Sequence, residues 1–209
     1  MPEQHPLDFP YLTRRLPPGQ HDDGLTLPRA GGAGFASMPP EPRLYPAPGF
    51  GVLPQLTERD AVVRLNPRQS AIGSLFVTGS RGTAWEDNMR VTGAQSVHRE
   101  QIGTILQTAG GRPLVGYVNR DAVVALRHVR ELRRALFIAG SGALAVQTYD
   151  GSTAAVAGSL AQGQRTVLTL LRIGSVLELR AESVPGEWDD GEIWREFGFT
   201  MTIGLVRRR

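Results

Sequence analysis

The sequence predicts an all-β protein: a mainly antiparallel sandwich or barrel-like domain behind a long, extended, proline-rich N-terminal arm. Three observations carry that expectation. Twelve of the 15 prolines fall within residues 1–60, so composition breaks sharply near residue 58. Beyond the break, apolar residues recur with the period of two that marks half-buried strands. Turn dipeptides such as Asp150-Gly151 separate those runs at hairpin spacing.

Residues 1–58 form the arm. Proline at this density removes backbone donors and pushes each preceding residue toward extended geometry, so neither helix nor central strand persists. Gly31-Gly32-Ala33-Gly34 adds a flexible break. A solvated tail is usually poor in large apolar residues, whereas this one carries Leu7, Phe9, Tyr11, Leu25, Leu27, Phe35, Tyr45, Phe50 and others. The arm is therefore expected to pack along its own body or a neighbouring subunit. Phe9, Tyr11, Phe35, Tyr45 and Phe50 are its candidate interface residues.

Residues 59–209 read as the β-domain. Strands are expected at Ala61–Leu65, Ile72–Thr78, Ile102–Thr108 and Pro113–Val118. Ala143–Tyr149 and Ser152–Val156 flank Asp150-Gly151, the signature of a two-residue type I′ hairpin. Arg165–Arg172 and Ser175–Glu182 flank Ile173-Gly174 in a second hairpin. The last segment alternates most cleanly: Ile193, Phe197, Phe199, Met201, Ile203 and Leu205 share one face, predicting a long final strand. Residues 121–136 are ambiguous, because Ala122, Leu126, Val129, Leu132 and Leu136 also fit a helix with Asp121 as its cap. An internal similarity bears on this segment. Residues 60–80 and 121–141 share nine identities in 21 positions, including Asp-Ala-Val-Val and Leu-Phe. If they are copies, Pro67 forbids one long helix, and the second copy becomes strand, short basic turn or helix, strand.

Composition excludes several chemistries. The 209-residue chain has no Cys, and all 23 of its basic residues are Arg. Disulfides, thiolate zinc sites, Cys nucleophiles, phosphate-loop lysines and Schiff-base lysines are therefore absent from it. The four histidines His5, His21, His98 and His128 share no metal-ligand spacing. Gly140-Ser141-Gly142 lacks the spacing of a serine elbow and reads as a turn. Glu187, Asp189, Asp190, Glu192 and Glu196 cluster around Trp188 and Trp194, but Asp189-Asp190-Gly191 reads as a turn entering the last strand. Trp85-Glu86-Asp87-Asn88 reads as another polar turn. No cofactor, metal or catalytic residue is expected, and the chain is not expected to be an enzyme. No apolar run approaches the roughly 20 residues of a membrane span. The start Met-Pro-Glu-Gln-His-Pro lacks the pattern of a secretory signal.

Arginine placement is the remaining lead. Residues 1–60 hold five Arg against seven acids, and residues 61–209 hold 18 against 13, so an acidic arm precedes a basic body. Arg127, Arg130, Arg133 and Arg134 form one cluster and are expected to pair with carboxylates across subunits, such as those of Asp22 and Asp23. A net charge of +3 makes nucleic-acid binding at most weak and nonspecific. The layout points to a structural subunit of a large assembly, namely a tailed-bacteriophage capsid, connector or tail component, whose arm laces neighbouring subunits. Its partners would be copies of itself and other structural subunits, with no membrane partner. It would reside in the virion or another large soluble assembly, made in the cytoplasm of the host cell. The alternative is a polyanion- or carbohydrate-binding β-module using the Arg clusters and tryptophans.

Overall fold

The computed structural model describes residues 55–57, 59–156 and 163–201. The arm candidates Phe9, Tyr11, Phe35, Tyr45 and Phe50 lie outside these residues, as do Ile203 and Leu205.

Two sheets share one core, which makes the all-β body sandwich-like. The first sheet contains β1 (Gln55–Leu56), β11 (Thr153–Val156), β10 (Leu144–Gln147), β3 (Ser74–Thr78), β8 (Asp121–Ala125) and β7 (Val115–Val118), in that order. The second contains β2 (Val62–Arg64), β13 (Val176–Pro185), β12 (Gln164–Ile173), β9 (Leu132–Ala139), β4 (Ser80–Asp87), β5 (Thr92–Ser96) and β6 (Gln101–Gly103). Neighbours are antiparallel except β1 and β11. Alternate residues of both sheets meet between them: Leu75, Val77, Val124 and Val146 from the first pack with Trp85, Phe137, Leu168 and Leu179 from the second. Leu56 also belongs to this core, so the body begins by Gln55, ahead of the composition break.

Both expected hairpins form, with different turns. Ile173 pairs with Val176 around Gly174-Ser175, one residue beyond the expected dipeptide. Gly174 takes φ +61° at the first central position, as a type II′ turn requires. Between β10 and β11 the loop has three residues, closed by Thr148 N–H donating to the Ser152 carbonyl at 2.9 Å. Only Gly151 takes positive φ there. The Asp150 carboxylate accepts from Thr148 and from the Ser152 N–H, which fixes the longer loop.

Residues 121–139 resolve into β8, a 3-10 helix (Leu126–Glu131) and β9, the strand–turn–strand alternative. The residue similarity with 60–80 has a corresponding strand order, β2 then β3. Trp85-Glu86 belongs to a strand, not to a polar turn, and Trp85 is fully buried with its indole N–H on the Thr104 carbonyl. Of the expected strand Ile102–Thr108, only Ile102 and Gly103 fall in a strand, β6, which begins at Gln101 and pairs with β5.

The long final strand is not formed. Asp190–Glu196 is a helix, α1. The Asp189 carboxylate accepts from the Glu192 N–H at 2.7 Å, while Glu192 reaches back to the Asp189 N–H at 2.8 Å, a capping box. At the other end Gly198 takes φ +68°, its N–H donates to Arg195, and Phe199 N–H donates to Trp194. These are the two bonds of a Schellman stop. Ile193 and Phe197 therefore share a face because they are four residues apart on a helix turn. Ile193 and Phe199 cover Ala84, Ala94, Leu136, Ile138 and Val167 on the outer face of the second sheet.

Candidate interaction surfaces

The arginine cluster divides in two. Arg133 and Arg134 enter β9, and both reach Glu86 on the adjoining strand β4, where Arg134 is the register partner of Glu86. Arg90 completes the group at 3.1 Å. Burial alone would raise the Glu86 carboxyl, but the Arg134 hydrogen bond and charge, with Arg90 and Arg133, hold it below the ordinary glutamate range. Arg134 also donates to the carbonyls of Phe197 (2.6 Å) and Gly198 (2.8 Å), and its guanidinium lies 4.2 Å from the Phe199 ring centroid. These two arginines thus meet a carboxylate of their own chain, and Arg134 ties the segment after α1 to the sheet.

Arg127 and Arg130 are placed differently. Successive side chains three apart eclipse on a 3-10 helix, so these two lie on one side of Leu126–Glu131. They line a groove of about 610 Å³ with Arg172 and the β12–β13 turn. Leu126, Val129, Val176 and Leu177 supply apolar walls, and no acidic residue lines it. Arg172 is fixed by the Leu132 carbonyl, the Gly174 carbonyl and the Asn88 side chain. Arg127 and Arg130 are exposed, and among the described residues their guanidinium groups have no ion pair or hydrogen bond.

The acidic loop has structural work. Asp189 and Glu192 cap α1, and Asp190 pairs with Arg81 at 2.5 Å. Trp188 and Trp194, the latter on α1 itself, are half-buried against the apolar cluster on the outer face of the second sheet. Among the described residues no group of three His, Asp or Glu side chains could hold a metal ion. His128 lies 3.8 Å from Glu131, and His98 is exposed. A second buried carboxylate, Glu178, sits between Arg64 and Arg180; burial raises it, and the two arginines lower it further than burial lifts it. Sequence reasoning missed Glu86 and Glu178 as ion-pair centres. Alternation of charged and apolar residues in Leu177-Glu178-Leu179-Arg180 was the available signal for the second.

The outer face of the first sheet contrasts with that of the second, which α1 and Phe199 cover. Its outward positions include Gln55, Phe76, Thr78, Val123, Ala145, Gln147 and Ala155, and Asp121 is the single charged residue among them. Phe76 is 38% exposed near its centre, with Ile72 (40%) and Tyr149 (43%) at one end. No described element covers this face.

Comparison with protein-family models, with curated proteins and with solved structures finds no match to the chain. Among the described residues no helix is long and apolar enough to cross a membrane.

Proposed function

We propose that the chain is a structural subunit of a large assembly of like copies, of the tailed-bacteriophage particle type, with its N-terminal segment lacing neighbouring subunits. The observation that carries the reading is the nearly uncharged outer face of the first sheet, which no element covers among the described residues. Leu75-Phe76-Val77 is a continuous apolar run, the pattern of a strand buried on both faces. Its counterpart Leu136-Phe137-Ile138 is buried on both: Phe137 faces the sandwich core, while Leu136 and Ile138 lie beneath α1. In the first sheet Leu75 and Val77 are buried and Phe76 is left open. A sheet face so poor in charge, with a phenylalanine near its centre, is chemically suited to a protein partner.

The proline-rich segment with apolar anchors supplies a matching component of the layout, and it joins the body at β1, an edge of that same sheet. In this reading the partners are copies of the chain and other subunits of the particle. The chain performs no catalysis, and nucleic acid binds weakly and nonspecifically. The particle reading rests on layout alone, whereas the self-association reading rests on the sheet face.

The test is the native mass of the full chain by light scattering and analytical ultracentrifugation. The expected result is a high-order homo-oligomer. Phe76→Ser, or removal of residues 1–49, should reduce its mass while circular dichroism of the β-body is retained. A monomeric wild type across micromolar concentrations overturns the proposal.

A further inference from the structure

We infer that the arginine groove beside the 3-10 helix receives the acidic segment Asp22-Asp23-Gly24-Leu25-Thr26-Leu27 from a second copy of the chain. This rests on the assembly reading above and names the contact that would register one copy on the next. Arg127 and Arg130 stand on one side of the 3-10 helix with no carboxylate of the described body paired to them. Arg172, hydrogen-bonded to the Leu132 carbonyl and the Asn88 side chain, adds a third positive charge to the same groove. Guanidinium groups arranged in this way bind carboxylates through charge-assisted, forked hydrogen bonds. The apolar walls require more than a bare anion. An occupant that fits presents two acids followed by apolar side chains.

The sequence offers one candidate by its pattern. Three places in the chain have adjacent acidic residues: Asp22-Asp23, Glu86-Asp87 and Asp189-Asp190. Glu86 is held by three arginines, and Asp87 accepts from the N–H groups of Met89 and Val91. Asp189 caps α1, and Asp190 pairs with Arg81. That leaves Asp22-Asp23, which is followed in the sequence by Leu25 and Leu27. Alternate residues of an extended chain face the same way, so the two leucines would meet the Leu126, Val129, Val176 and Leu177 walls together.

The experiment uses full-length chains and charge reversal. One variant carries Asp22→Arg and Asp23→Arg; the other carries Arg127→Glu and Arg130→Glu. Each alone should raise the protein concentration needed for assembly by about tenfold or more. Mixing the two should restore assembly, because each mismatched arm then finds a complementary groove on the other chain. Arg127→Gln with Arg130→Gln, at the same exposed positions, should shift assembly in the same direction if the Glu variant fails to fold. Wild-type assembly unchanged by either reversal overturns the groove contact and leaves the assembly reading standing. A monomeric wild type overturns both. Restoration only when all four changes share one chain means the arm docks on its own body, and also overturns the inference. Nucleic acid that co-purifies with wild type and is lost in Arg127→Gln/Arg130→Gln would assign the groove to phosphates instead.

Discussion

Glu86→Gln tests whether the ion cluster on β4 and β9 holds the body together. Gln preserves the shape and one acceptor but removes the charge that Arg90, Arg133 and Arg134 surround. The carboxylate is nearly fully buried, whereas the arginine side chains are 67%, 39% and 22% exposed in that order. Deleting one partner of a buried pair typically costs about 3–5 kcal/mol. The exposed arginines can rehydrate, and their individual pairs contribute at most about 1 kcal/mol each. Arg134 still keeps the carbonyls of Phe197 and Gly198. The expected loss at pH 7 is therefore about 2 kcal/mol, below that range. For a body of this size that corresponds to a fall in Tm of about 4–8 °C. Since the folded Glu86 titrates below its ordinary 4.5, its contribution is complete above pH 4.5 and is lost as pH falls through the folded value. The gap between wild type and Glu86→Gln should therefore close in acid. Thermal unfolding followed by circular dichroism at pH 7 and at pH 3.5 checks both statements, with exposed Glu131→Gln as the control. A pH-independent gap, or one no larger than the control, would refute the assignment of Glu86 as the charged centre.

Phe199→Ala should destabilise the body by about 3–4 kcal/mol, because the ring is buried against the outer face of the second sheet, while exposed Thr200→Ala should cost under about 0.5 kcal/mol. Urea titrations of both variants decide it; equal losses would place Phe199 outside the packed layer. Asp189→Ala removes the N-cap of α1 and should cost about 1 kcal/mol, read from the same titration, with loss of helical signal near 222 nm. Deleting residues 1–49 should leave body stability unchanged, whereas deleting residues 1–58 also removes buried Leu56 and its pairing to β11, for a loss of about 2–5 kcal/mol. Equal stabilities of the two truncations would show that β1 contributes nothing.

Much of the β-body was legible because strand period and turn chemistry are local. The β13 run alternates in Leu177, Leu179 and Ala181, and Gly174 marks the turn between it and β12. The candidate surfaces were legible only in part. The arginines could be counted, but their partners lie far away in sequence: Glu86 is 48 residues from Arg134, and Glu178 is 114 from Arg64. The final segment was misread for a different reason. Ile193, Phe197, Phe199 and Met201 satisfy a period of two, yet the Asp189…Glu192 box and Gly198 supply start and stop signals for a helix. Backbone hydrogen bonds at those caps decided in favour of the helix.

By itself, the sequence determined that the body is β and that both hairpins turn near Asp150-Gly151 and Gly174, while it left residues 121–136 open between a helix and a strand, short turn and strand. Each of these follows from backbone preferences within a few residues. Tertiary structure alone decided which way a strand faces. Leu75-Phe76-Val77 and Leu136-Phe137-Ile138 are nearly the same tripeptide, yet Phe137 points into the sandwich core and Phe76 points out of it. A period of two defines two faces without naming the inner one. That choice falls to the long-range pairing of β3 with β8 and β10, and of β9 with β4 and β12, together with the layer that α1 lays over the second sheet.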